Sequence, residues 1–115
     1  MLQTAAILLL ITALGGLVMA GIRFAGKRNP PAWLAMVHGL LAASGLTLLL
    51  YAVLTGSAPP LASLAVVLLL LAAGGGAVMS LVYKWHDRLL PSWLVVGHAV
   101  LAIGGFLCVL AAAFG

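Results

Sequence analysis

The feature that most constrains this chain is a set of four apolar runs separated by short polar connections. The runs cover residues 3–22, 33–54, 61–83 and 93–114, and none contains Asp, Glu, Lys or Arg. Each run is close to the ~20 residues that a helix needs to cross a hydrocarbon layer about 30 Å thick. The sequence therefore predicts an all-α integral membrane protein, a bundle of four transmembrane helices.

The composition supports a membrane protein and excludes an ordinary soluble domain. Of the 115 residues, 66% are hydrophobic and 5% are charged, and the mean hydropathy is +1.36. A soluble domain carries roughly a quarter charged residues, so this surface would aggregate in water. The single cysteine, Cys108, lies inside the fourth run and excludes a disulfide framework within the chain. We therefore expect the lipid bilayer to surround the apolar surface of this chain.

The basic residues predict the orientation in the membrane. All five lie in the first and third connections, at Arg23, Lys27, Arg28, Lys84 and Arg88. The positive-inside rule makes these connections cytoplasmic and leaves both termini outside, as in a multi-pass protein of the bacterial inner membrane. Because topology explains these charges, nucleic-acid binding is not expected. The first run has no basic residue before it, so we expect it to stay in the mature protein rather than act as a signal peptide.

The two halves of the sequence repeat each other. A shift of 60 positions aligns residues 1–55 with 61–115 without a gap, and 19 of the 55 pairs are identical. The pattern Pro-x-Trp-Leu-x-x-x-His-x-x-x-Ala-x-x-Gly occurs at 31–45 and again at 91–105. The sequence therefore predicts two tandem two-helix hairpins, repeat one at 1–55 and repeat two at 61–115, joined by the linker 56–60. A pseudo-two-fold axis along the membrane normal would relate them.

One histidine in each repeat is the candidate for a functional site. His38 and His98 hold the same position on the second and fourth helices, seven residues after a proline, which is about 10 Å of helical rise. An ionisable residue at that depth in a membrane indicates a functional site. Neutral imidazole is also among the commonest metal ligands. Each histidine shares a helix face with Leu, Ala and Gly residues at i−4, i+4 and i+7.

This pattern resembles the bis-histidine b-type cytochromes held in membrane four-helix bundles. It is also similar to small bacterial four-helix membrane proteins with a repeated P-x-W-L…H helix. The resemblance implies one haem b with His38 and His98 as axial ligands. Small residues would let the ring edge approach the backbone, and basic residues would pair with the propionates. The implied set is Ala42, Ala102, Gly45, Gly105, Arg23, Arg28, Lys84 and Arg88. The implied function is electron transfer, with quinone, a homodimer or a larger membrane redox complex as partner.

Two other functions remain open from the sequence. The histidines and glycines could serve helix packing alone, as expected of a structural or accessory subunit of a larger complex. A small transporter is the second alternative, although no helix carries an acidic residue for proton exchange. No nucleophile–base–acid motif is present, so the chain is not expected to be an enzyme by itself.

Other residues are weaker candidates. Met19 and Met79 could be soft ligands but are typical packing residues. His86 is expected to be a solvated loop histidine, and Asp87 is expected to pair with Lys84 or Arg88.

Overall fold

A computed structural model describes residues 1–56 and 58–115, which form four long helices. These are α1 (Leu2–Ala25), α2 (Ala32–Leu54), α3 (Pro60–Val78) and α4 (Ser92–Phe114). A π-helical turn (Met79–Tyr83) and a 3-10 turn (Lys84–His86) extend α3, so that its full span is Pro60–His86. All four are long and apolar enough to cross a membrane. The predicted all-helical bundle with four candidate membrane spans is confirmed.

Prolines set the start of three helices. Pro31, Pro59 and Pro91 each precede a first turn in extended conformation, with ψ of 151°, 161° and 137°. Pro31 and Pro91 thus precede α2 and α4, which start one residue before the predicted runs at 33 and 93. The cost of these prolines is small, because a proline at a helix start removes an N–H that has no intrahelical partner.

The first and third connections each contain one residue in left-handed backbone conformation, at positions 60 apart. Lys27 and Asp87 lie 60 positions apart and both have positive φ, 53° and 55°. Left-handed backbone is uncommon for residues other than glycine. Between Met79 and His86 the wide π turn is followed by a tight 3-10 turn, whereas α1 remains α-helical at 19–25. Despite this difference, Asp87 has a positive φ as Lys27 does.

The helices pack in the cyclic order α1, α2, α3, α4. Packing is most extensive within the hairpins α1–α2 and α3–α4, less between α1 and α4, and least between α2 and α3. Consequently α2 and α4, which carry the two histidines, occupy diagonal corners. The bundle extends 42 Å along its length, enough to cross a hydrocarbon layer of about 30 Å.

Dense packing is concentrated at one end of the bundle, here called the terminal end, which holds both termini and residues 55, 56, 58 and 59. The core cluster lies there and consists of Ala5, Ala6, Leu9, Leu49, Ala62, Ala65, Val66, Leu69 and Val109. Gly45 and Gly105 let the helices approach closely. A methyl group on Gly45 would lie 2.8 Å from Leu9 Cγ, and one on Gly105 would lie 2.7 Å from Leu69 Cγ. These two glycines therefore accommodate leucines of the neighbouring helices.

At the opposite end, here called the basic end, the connections 26–31 and 87–91 are joined by hydrogen bonds. The Asn29 side chain donates to the Arg88 carbonyl (2.8 Å) and accepts from the Leu90 N–H (3.0 Å). Arg23 Nε donates to the Leu90 carbonyl at 2.7 Å, and Lys84 Nζ donates to the Pro30 carbonyl at 2.6 Å. Since Pro30 and Leu90 are 60 positions apart, each hairpin is held at the same point of its connection.

Candidate functional site: a histidine pair inside the bundle

Each candidate histidine is hydrogen-bonded to the other helix of its own hairpin. His38 Nδ1 lies 2.9 Å from the Thr12 carbonyl oxygen on α1, and His98 Nδ1 lies 2.6 Å from the Ala72 carbonyl oxygen on α3. Thr12 and Ala72 are 60 positions apart, like the histidines themselves. Both rings are therefore held by the same contact, one in each half of the chain.

These contacts determine which ring nitrogen remains available. A carbonyl oxygen only accepts hydrogen bonds, so Nδ1 must carry the proton and donate it. In a neutral imidazole Nε2 then keeps its lone pair. Among the described residues, neither His38 nor His98 has a hydrogen-bond partner at Nε2. Metal-ligating histidines are usually oriented by such a second hydrogen bond from the other ring nitrogen.

The two rings converge in the interior of the bundle. The centroids of His38 and His98 are 6.3 Å apart and the ring planes are inclined by 65°. Two imidazoles on opposite sides of one metal ion have centroids roughly 6 Å apart, because each metal–nitrogen bond is about 2.0–2.1 Å and each ring adds about 1 Å. The separation is thus compatible with two imidazoles that bind one metal ion.

Glycine pairs on α1 and α3 form the surfaces against which the rings lie. A methyl group on Gly16 would lie 3.0 Å from His38 Cε1, and one on Gly76 would lie 3.4 Å from His98 Cε1. Methyl groups on the neighbouring Gly15 and Gly75 would also lie within 4 Å of these rings. The glycine pairs therefore leave the space that the imidazole rings occupy.

Packing around the histidines is looser than at the terminal end. Of the buried apolar residues in the described chain, only Pro30, Ala72, Leu90 and Val95 lie outside the half of the bundle nearest the terminal end. Interior positions near the rings are half-buried instead, namely Met19, Met79, Ala42 and Ala102. The described residues contain no group of three or more His, Cys, Asp or Glu side chains arranged for a metal ion. Two imidazoles are thus the candidate ligands that the fold brings together in the described chain.

The basic residues of the predicted site are distributed differently. Arg23 and Lys84 are half-buried at the basic end and donate to the carbonyls described above. Arg28 and Arg88 are exposed, and the Arg88 guanidinium lies 4.8 Å from the centroid of the Tyr83 ring. Arg23 also retains further N–H donors, because its bond to Leu90 uses Nε alone.

Two expectations for the third connection had different outcomes. His86 is exposed in the 3-10 turn, as expected of a solvated histidine. Asp87 was expected to pair with Lys84 or Arg88. Among the described residues neither ion pair forms, because Lys84 reaches the Pro30 carbonyl and Arg88 lies over Tyr83.

Sequence reasoning missed the groups that orient the histidines and join the connections. The ring partners are main-chain carbonyls of Thr12 and Ala72, which no side-chain pattern reveals. A signal existed nearby, since the glycine pairs start three residues after each carbonyl. Asn29 gave no signal, because its equivalent in the second half is Leu89.

The chain was compared with protein-family models, curated proteins and solved structures, and no match was found in any of the three.

Proposed function

We propose that this chain is a small integral membrane b-type haem protein for electron transfer, with one haem ligated by His38 and His98. The observation that carries the proposal is the convergence of the two imidazoles, with centroids 6.3 Å apart. The bonds from each Nδ1 to a carbonyl oxygen support it further, because they leave both Nε2 lone pairs available.

The two imidazoles fit a pair of ligands for a haem iron, because they converge and each keeps Nε2 without a partner among the described residues. Haem, when bound, would supply a one-electron iron couple. Nε2 of His38 and Nε2 of His98 would hold the iron, and the two carbonyl acceptors would hold the ring orientation and raise ligand basicity. The half-buried Ala42 and Ala102 would border the macrocycle.

Charge at the basic end provides partners for the propionates. We assign this role to Arg23, which is half-buried there and has N–H donors beyond its bond to Leu90. Arg28 and Arg88 are exposed and would act through solvent. Lys84 lines a lateral groove, described below, and is not assigned to the haem. Gly45 and Gly105 are not assigned either, since leucines fill the space beside them.

The proposal includes insertion in a bacterial inner membrane with the basic end in the cytoplasm and both termini outside. All five Lys and Arg residues belong to the two connections that hydrogen bonds join at one end of the bundle, or to the helix turns next to them. That asymmetry supports the orientation. The matching contacts at positions 60 apart support the proposed duplication of one hairpin. A quinone or a larger membrane redox complex is the proposed electron partner.

The test is an absorption spectrum of the purified protein in detergent, oxidised and then reduced. A Soret band with a reduced-minus-oxidised change is expected, at about one haem per chain. A sample that shows no Soret band after expression with ample haem, and none after haem is added, would overturn the proposal.

A second candidate is a structural membrane subunit in which the histidines only join helices. The specific observation in its favour is that both imidazoles already bond a neighbouring helix and lie on its glycines. Such bonds in membrane bundles contribute about 0.6 kcal/mol on average and at most about 1.7. Under this hypothesis a His38→Asn variant that keeps a donor would retain assembly, and no pigment would appear in any variant.

A further inference from the structure

A lateral groove of about 300 Å³ lies between the start of α2 and the end of the α3 span, and the function proposed above does not use it. Its lining consists of Ala32, Ala35, Met36, Ser80, Lys84 and Trp85. The groove occurs where α2 and α3 pack least, beside the π turn. Its walls are mostly apolar, and it is open along one side.

The polar groups in the groove can donate hydrogen bonds to a ligand that carries acceptor oxygens. Lys84 bonds the Pro30 carbonyl at 2.6 Å and so has two N–H donors left. The Ser80 hydroxyl has no hydrogen-bond partner among the described residues, and the Trp85 indole N–H is a donor only. The groove has no carboxylate in its lining. A ligand with an apolar body and an anionic, acceptor-rich head would complement these groups.

The height of the groove in the bundle indicates where such a head would lie. Trp33 and Trp93, 65% and 70% exposed, follow the two prolines at the basic end, and Trp85 is 78% exposed. Exposed tryptophans at helix ends mark the membrane–water interface. Ala32 and Lys84 therefore lie at the level of lipid headgroups, while Ala35 and Met36 extend the groove toward the hydrocarbon.

We propose that this groove binds one anionic phospholipid, with its phosphate on Lys84 and Ser80 and an acyl chain along Ala35 and Met36. Basic pockets between helices at the cytoplasmic side recognise such headgroups. The inference rests on the membrane insertion proposed above and does not require haem.

The experiment is native mass spectrometry of the purified full chain with phosphatidylglycerol and phosphatidylcholine of identical acyl chains. One tightly held phosphatidylglycerol is expected, preferred about fivefold over phosphatidylcholine, which corresponds to one basic contact. Lys84→Gln should remove the preference. The matched control Lys27→Gln, which changes an exposed lysine of the other connection, should keep it.

A second variant keeps the proposal testable if Lys84→Gln does not fold. Ala32→Leu fills the groove without changing charge and should weaken retention of both lipids. Equal retention of the two lipids by the unmodified chain would overturn the proposal, as would equal losses of preference in Lys84→Gln and Lys27→Gln. Complete displacement of the lipid by soluble glycerol phosphate would also overturn it, because the site would then bind free phosphate.

Discussion

His38 and His98 meet in the bundle interior with ring centroids 6.3 Å apart, although each is held by its own hairpin. Neither hairpin alone contains both imidazoles, so the pair exists only when the two hairpins pack against each other. Binding of one ligand by both rings would therefore stabilise the hairpin–hairpin contact, through the general linkage between ligand binding and folding.

The first prediction concerns the glycine surface under His38. In Gly16→Ala the new methyl group would lie 3.0 Å from His38 Cε1, so the ring must shift or the helices must separate. We expect a loss of about 1–2 kcal/mol in the free energy of unfolding, as for other overpacked sites, and weaker retention of haem. Gly76→Ala should have a smaller effect, because its contact is 3.4 Å. Unfolding in mixed micelles measures the loss of stability in both variants, and absorption spectra measure the haem that each retains.

A matched control is available on the same helix. Gly21 has no atom within 4 Å of a built methyl group, so Gly21→Ala should be neutral or stabilising by up to about 1 kcal/mol. Equal destabilisation by Gly16→Ala and Gly21→Ala would show that helix flexibility, rather than contact with His38, determines the cost.

The second prediction concerns the close contact at the terminal end. Gly45→Ala should destabilise the bundle by about 1–3 kcal/mol, because the methyl group would lie 2.8 Å from Leu9 Cγ. Leu9→Ala should cost about 2–5 kcal/mol by leaving a cavity. The double variant should cost at least about 1 kcal/mol less than the sum, as residues in contact couple. Strict additivity in the same unfolding assay would contradict the contact.

The third prediction concerns Asn29 at the basic end. Asn29→Ala removes two hydrogen bonds to the third connection and leaves the Leu90 N–H without its acceptor. We expect a loss of about 1–2 kcal/mol and faster hydrogen exchange at the Leu90 amide. Asn29→Asp keeps an acceptor oxygen and should retain most of that protection. Unchanged exchange at Leu90 in Asn29→Ala would rule out the bond.

The sequence was sufficient to predict the helices because apolar runs and prolines act locally. The predicted run 61–83 ends at the last residue of the π turn, Tyr83, and the helices after Pro31 and Pro91 start one residue before the predicted runs at 33 and 93. The π turn itself was not predicted, because α1 carries Val-Met at the same repeat positions and stays α-helical there.

The sequence indicated which residues belong to the candidate site, but it did not indicate which of them are in contact. The repeat indicates that His38 and His98 lie at one depth, but whether they converge depends on helix order, which puts α2 and α4 on a diagonal. The glycines at 45 and 105 share a face with the histidines in sequence, yet they contact Leu9 and Leu69. Such pairings depend on the rotation of neighbouring helices, which periodicity along one helix does not fix.

The fourth prediction concerns orientation in the membrane. In a Cys108→Ser background, Pro59→Cys and His86→Cys introduce exposed thiols at opposite ends of the bundle and leave all five basic residues intact. A membrane-impermeant maleimide should label Pro59→Cys in intact cells, and His86→Cys only after permeabilisation, because basic connections remain inside. Labelling of His86→Cys in intact cells would reverse the proposed topology.

The most direct test of the central claim is the haem content of single histidine variants, measured from reduced-minus-oxidised absorption spectra. His38→Leu and His98→Leu should each lose the spectrum of a bis-histidine haem, since both Nε2 atoms are proposed ligands of one iron. The control His86→Leu, which changes the exposed histidine of the 3-10 turn, should keep about one haem per chain. An unchanged spectrum in either His38→Leu or His98→Leu would contradict the account.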